Sequence, residues 1–386
     1  NALIAGYAHK GEYHESLDCF QRMQSEGLSP DEVTFLCILK ACGSAKAIEK
    51  GKQIHGEVQI IGFLEKDAML CNALVDMYAK CGMLSKARQI LKSLPVQDVV
   101  AWNALIVGYV HEGRCDEALD CFEWMQREGP SADEVTFLAL LKACGRIGAI
   151  DKGKQIHCEI VNKELLEKDI VLGNALVDMY AKCGMLEKAQ QVLKNLPVRN
   201  VVSWNVLIVG YAQFGKFHDA LDCFDRMQSE GLTPDAVSFL CLLNACGNSG
   251  LLDEAQSYFT NMSKKYGIVP SLDHHTCMVM VLGRAGHFDK AMSVIKVMPS
   301  LEYGEIWLVL LGACRKWGNV KLGKLAFDQV IQMNGNLASA YVIMANIYAA
   351  ACMQEEANKV DAMRGRNTNW NEDEMGKNVI GQLCTI

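Results

Sequence analysis

Two His-x-Glu triplets, His55-Gly56-Glu57 and His157-Cys158-Glu159, carry the side chains most able to do chemistry. In a zinc deaminase such a His ligates the metal and the Glu moves the proton, but the site is completed by a PCxxC segment. No CxxC occurs anywhere in the 386 residues. Both triplets sit in near-identical runs, GKQIHGEV and GKQIHCEI, and read as repeated residues rather than half of a metal site. His274-His275 is a lone pair and a weak metal candidate. No phosphate-cradling Gly loop or nucleophile motif appears. The reading is a binder rather than an enzyme, with no catalytic residues, no metal and no cofactor.

Five asparagines form a second chemical set: Asn1, Asn72, Asn103, Asn174 and Asn205. An amide offers a donor and an acceptor at once, which suits it to reading the edge of a base. What positions them is a repeat. Trp102 recurs as Trp204, Cys42 as Cys144 and Cys246, and Tyr78 as Tyr180, always 102 residues apart. One period, Val99 to Asn200, divides into segments of 35, 36 and 31 residues. Fixed-period self-similarity marks a stacked array in which each unit buries its apolar face against its neighbours.

Within Val99–Asp133, Trp102, Leu105, Ile106 and Tyr109 share one helical face. Gly113 stops that helix, and Asp116 is the expected N-cap of the next. Ala118, Leu119, Phe122 and Met125 make the second stripe, which Gly129 ends. The expected fold is all-α, a right-handed superhelical solenoid of helix-turn-helix hairpins. Units are expected at 1–31 (truncated), 32–67, 68–98, 99–133, 134–169, 170–200, 201–235, 236–271 and 272–303. Two divergent hairpins follow at 304–337 and 338 to about 370, then an irregular segment, 371–386.

Half of the residues are apolar, enough for a continuous core, and the net charge of −7 argues against a simple polycation that coats nucleic acid. Of the 17 cysteines, Cys42, Cys144 and Cys246 share one repeat position and Cys81 and Cys183 another, so they read as small core residues, and a reducing compartment follows. No run reaches the length of a membrane span. The chain opens mid-motif at Asn1, so its start is silent about targeting.

The run VVSWNVLIVGYAQFGKFHDALDCFDRMQSEGLTPD is similar to the pentatricopeptide repeat consensus. NALVDMYAKCGMLEKAQQVLKNLP resembles the short variant of that repeat, and VTFLALLKACGRIGAIDKGKQIH the long one. The standard, long and short cycle resembles the plant PLS subclass over about 1–370. IWLVLLGACRKWGNVKLG and AYVIMANIYAAA, in the hairpins from 304 and 338, resemble its E1 and E2 motifs. The resemblance implies a mitochondrial or chloroplast protein that binds single-stranded RNA as a specificity factor for C-to-U editing. It also implies that 304–370 joins or recruits a DYW-type deaminase or another editing factor.

In that family the fifth residue of a unit faces the base and the last supports it. The pairs implied here are Asn1 with Asp31, Asn72 with Asp98, Asn103 with Asp133, Asn174 with Asn200, and Asn205 with Asp235. Asn–Asp implies uracil, Asn–Asn a looser pyrimidine preference, and the site becomes pyrimidine-rich, of the form U-x-U-U-x-Y-U. The alternative is that each Asn merely caps its helix. Leu36, Leu138 and Leu240, fifth in the long units, cannot hydrogen-bond a base. Thr276 with Tyr303 fits no code combination. Met69, Val100, Val171 and Val202 could wedge between bases or simply pack between repeats.

The thirteenth residues of the units include Lys80, Arg146, Lys182, Arg284 and Lys316 and no acid, while Glu15, Asp18, Glu117, Asp120 and Glu123 fall on second helices. A positive groove contacting phosphates is the reading drawn from this; a preference of cations for helix C-termini is the other. Two rival functions remain: RNA stabilisation, splicing or processing, and a helical scaffold without sequence-specific RNA.

Overall fold

Seven first helices of the repeats begin beside a side chain that caps them. Asp31, Asp67, Asp98, Asp133, Asp169, Asn200 and Asp235 all accept hydrogen bonds from backbone N–H groups one turn into the following helix. At Asp31, Asp133, Asn200 and Asp235 the third helical residue (Thr34, Thr136, Ser203 or Ser238) returns the bond and closes a capping box. The periodic Asp at the end of each unit is therefore first of all a helix start signal.

The computed structural model describes residues 1–63, 67–94, 97–298 and 304–367. They divide into two compact units, Asn1–Pro197 and a second that begins at Val198. In the first lie α1 (Ala2–Lys10), α2 (Tyr13–Ser25), α3 (Glu32–Ser44), α4 (Ile48–Ile61), α5 (Ala68–Lys80) and α6 (Leu84–Ser93). It continues with α7 (Val99–His111), α8 (Cys115–Glu128), α9 (Glu134–Ile147), α10 (Ile150–Asn162), α11 (Ile170–Lys182) and α12 (Leu186–Asn195). The second contains α13 (Val201–Gln213), α14 (Phe217–Ser229), α15 (Ala236–Ser249), α16 (Leu252–Lys264) and α17 (Leu272–Arg284). After these come α18 (Phe288–Val297), α19 (Gly304–Trp317), α20 (Val320–Met333), α21 (Ala338–Ala350) and α22 (Gln354–Asn367). Among the described residues there is no strand, as the repeat pattern requires of an all-α solenoid.

Within each unit the odd-numbered helices pack side by side, and the even-numbered helices pack on their own partners and, for most, on the next odd one. In each unit the odd helices thus form a layer with one face covered and the other open. The stripes anticipated from the sequence supply its core: Trp102, Leu105, Ile106 and Tyr109 are buried, as are Ala118, Leu119, Phe122 and Met125. Gly108 permits the tight approach of neighbouring hairpins, because a Cβ there would lie 2.9 Å from both Ala79 Cβ and Leu84 Cδ2. Cys42, Cys144 and Cys246 are fully buried, and burial pushes their thiols up to about 11, 12 and 12. They behave as small apolar residues.

Asp116 is not an N-cap. Gly113 takes a left-handed backbone (φ 74) and lets the Arg114 N–H bond back to Tyr109 O, so α8 restarts at once with Arg114 as its cap residue. Asp116 falls inside the first turn, where its charge favours the helix N-terminus.

The two His-x-Glu triplets are structural. His55 Nδ1 shares a 3.0 Å hydrogen bond with the Tyr78 hydroxyl, and His157 repeats it with Tyr180 at 2.9 Å. Burial holds both imidazoles below their ordinary value of 6.5, helped by Lys86 and Lys188. The unfolded chain then binds more protons than the folded one just below that pH. Stability is full above it and falls as pH drops toward the folded values. Melting temperature should fall between about pH 7.5 and about pH 5.5, and the combined His55→Gln and His157→Gln change should flatten that profile.

Candidate nucleic-acid interface

The open face of the odd-helix layer in each unit carries repeat positions two, five, nine and thirteen, which share one side of a helix by their spacing. Asn72, Asn103, Asn174 and Asn205 are the fifth residues of α5, α7, α11 and α13, inside the helices rather than at their starts. The capping alternative fails for these four, since the residue ahead of each helix does the capping. Asn1 precedes α1 and makes no side-chain cap bond.

In four of the five expected pairs the fifth and last residues come together. Asn1 Nδ2 donates to Asp31 Oδ2 at 2.6 Å, and Asn72 Nδ2 to Asp98 Oδ2 at 2.6 Å. Asn103 Nδ2 lies 2.9 and 3.0 Å from the two Asp133 oxygens, and Asn205 Nδ2 is 3.1 Å from Asp235 Oδ1. The same carboxylate that starts the next helix thus holds the amide of the previous one. Asn174 is buried, and Asn200 caps α13.

A third group tightens two of these pairs. The Thr136 hydroxyl donates to Asn103 Oδ1 at 2.5 Å, and the Thr34 hydroxyl donates to Asn1 Oδ1. Ser238, in the equivalent place, bonds Asp235 instead, and Asn205 Oδ1 has no hydrogen-bond partner among the described residues. Asn174 Oδ1 is likewise unpartnered among them. Hydrogen bonds from Thr34 lead the causes that hold Asp31 below the usual carboxylate range. At Asp133 burial raises the pKa, but bonds from Thr136 and Asn103 outweigh it and the net shift is downward. Both are pure acceptors at neutral pH, which fixes the amide with its nitrogen toward the acid. Asn103 is 8% and Asn205 5% exposed, so the reading edge is deep in the layer.

Beside the amides stand apolar side chains that are open to solvent. Met69, Val100, Val171 and Val202 are each more than half exposed. Val33, Val135 and Val237, second in the long units, are half exposed as well, and the sequence reading missed them. Their shared register with Val100 was the available signal.

Each of the five cations expected to contact phosphate has a partner within the protein. Lys80 and Lys182 pair with Asp76 and Asp178 at 2.7 and 2.6 Å. Arg146 donates to Val110 O at 2.5 Å, Arg284 to Gly247 O at 3.3 Å, and Lys316 to Arg284 O at 3.1 Å. Those carbonyls end the preceding odd helix, so these three side chains stitch neighbouring repeats by satisfying helix C-termini. His274 is also spent inside the fold, bonding Ser271 and Ala236 O. No cluster of three or more metal-ligating side chains occurs among the described residues. Tyr303 and the segment 371–386 lie outside them.

Family models described as "PPR repeat family" match residues 1–44, 97–146 and 199–248, and "PPR repeat" matches 70–98, 174–201, 237–266 and 274–302. A chloroplastic pentatricopeptide repeat-containing protein of Arabidopsis thaliana is 39% identical over 88% of this chain and 46% of its own length. A mitochondrial one from the same plant is 36% identical over 94% of this chain and 65% of its own. The chain therefore spans about half to two thirds of these relatives. Among solved structures, the pentatricopeptide repeat protein PPR10 in complex with an 18-nt psaJ RNA element superposes with a TM-score of 0.64. That match covers 94% of this chain and 59% of the other at 18% identity, a likeness of fold.

Proposed function

Because the chain belongs to the pentatricopeptide repeat family, we propose that the odd-helix layers of its two units bind single-stranded, pyrimidine-rich RNA, reading one base at each Asn–acid pair. The observation that carries this reading is the recurring bond between an amide and the acid ahead of the next helix, at 2.6–3.1 Å in four units. Each bond spends one amide N–H. It leaves a second N–H and at least one oxygen lone pair, which match the O4 acceptor and N3–H donor of uracil.

The finer reading is a PLS-subclass specificity factor for C-to-U editing in a mitochondrion or chloroplast. In it 1–303 forms the repeat array, and the hairpins 304–337 and 338–370 stand where E1-like and E2-like motifs would contact a deaminase. Relatives named chloroplastic and mitochondrial support the organellar part. The deep burial of Asn103 and Asn205 favours a second reading, a protein scaffold in which the amides are only structural.

Binding of a U-x-U-U-x-Y-U oligonucleotide separates the two. The combined Asn103→Ala and Asn205→Ala change removes two base contacts, each a hydrogen-bonded pair that discriminates by about 1–3 kcal/mol. Preference for uracil over adenine at those two positions should therefore disappear, with affinity falling at least about 10-fold. Unchanged affinity and preference would give the case to the scaffold.

A further inference from the structure

The long units lack a base-reading amide, yet their open faces are not idle. In α3 the stripe runs Val33, Leu36, Lys40, and in α9 it runs Val135, Leu138, Lys142. The ninth residue is the one that differs between unit types. It is Asp76 or Asp178 in the short units, where it neutralises Lys80 or Lys182. It is Ala5, Val107 or Val209 in the standard units, and Asn244 in the third long unit.

Lys40 and Lys142 are exposed, and neither makes a hydrogen bond or ion pair among the described residues. They stand one turn from Leu36 and Leu138, on the same helical face as the fifth residues. The five cations expected from the sequence to meet phosphate each have a partner within the protein, while Lys40 and Lys142, which were not expected, have none among the described residues.

We propose that Lys40 and Lys142 are phosphate-binding residues of the array, one in each of the first two long units. The long unit then holds the RNA backbone while the base beside it goes unread. This assignment rests on the RNA-binding reading above and adds to it a division of labour. Standard and short units present amides that discriminate bases; the first two long units present an unpaired ammonium to the sugar–phosphate chain, which looks the same at every step. Val33 and Val135, half exposed on the same stripe, give the unread base an apolar surface. Lysine suits this role, because an ammonium on a flexible stem is a point charge that adapts to a phosphate without fixing a base.

The test is the salt dependence of binding to the U-x-U-U-x-Y-U oligonucleotide, measured on the full chain. Each phosphate contact to a single strand contributes about 0.7 to the slope of log K against log salt, so Lys40→Gln with Lys142→Gln should reduce it by about 1.4. Preference for uracil at the Asn103 and Asn205 positions should be unchanged, and Lys40→Arg with Lys142→Arg should restore the slope. Lys80→Gln with Lys182→Gln should change it by less, since those tips are already neutralised by Asp76 and Asp178. A wild-type slope in the Lys40→Gln, Lys142→Gln variant, with uracil preference present, would overturn this assignment and leave base reading intact. A reduced slope with no base preference in any variant would uphold it and overturn base reading. Absence of any RNA binding by the wild-type chain would overturn both.

Discussion

Asp133→Ala is expected to destabilise the first unit by about 2–4 kcal/mol, the sum of a lost helix cap near 1 and an unpaired buried amide of 1–3. Asp133 is a junction of two hairpins: it closes the capping box of α9 and anchors the Asn103 amide of α7. Its removal strands a side chain that is 8% exposed. Asp133→Asn is the informative companion, because Asn200 already caps α13 in the same way. That variant should keep most of the stability while relaxing uracil preference at the Asn103 position. Hydrogen exchange read separately over Val99–His111 and Glu134–Ile147 checks the first half, since both helices should lose protection in Asp133→Ala. Protection lost in α9 alone would mean that the amide bond contributes nothing.

Trp102→Ala should cost about 3–5 kcal/mol, the range for emptying a large aromatic site in a core. Trp102 is fully buried, its ring edge-to-face with Trp124 at 4.3 Å, and Gly129 lies so close that a Cβ there would be 2.9 Å from the indole. Each hairpin leans only on its neighbours, so the loss should spread to α5 and α9 before it reaches more distant repeats. Phenylalanine separates packing from polarity. Trp102 Nε1 has no partner among the described residues, whereas Trp204 Nε1 donates to Glu230 at 3.1 Å. Trp102→Phe should therefore be milder than Trp204→Phe, although the two residues are equivalent in the sequence. Urea denaturation of both variants checks the order, and the reverse order would refute the account.

Much of this architecture was legible because it is local. Helical periodicity placed Trp102, Leu105 and Tyr109 on one face, and glycines marked the breaks, so hairpin positions followed from spacing alone. Local reasoning failed where two signals compete over a few residues. Asp116 looks like a cap, but Gly113 closes the turn earlier and leaves it inside the helix. Asn103 looks like a cap too, yet Asp98 caps α7 and its counterparts cap other first helices.

By itself the sequence determined the 102-residue period, the helical hairpins and the recurring address of the amides, because these depend on residue type and spacing within one or two helices. Only the tertiary structure decided which partner each polar side chain meets. Asn103 reaches Asp133 and Thr136 thirty residues or more away, and Arg146 turns to the carbonyl end of α7. Lys40, with no acid one turn along as Lys80 has, stays free on the open face. Hydrogen bonds between stacked hairpins depend on positions to within a few tenths of an ångström, and spacing along the chain does not specify distances that fine.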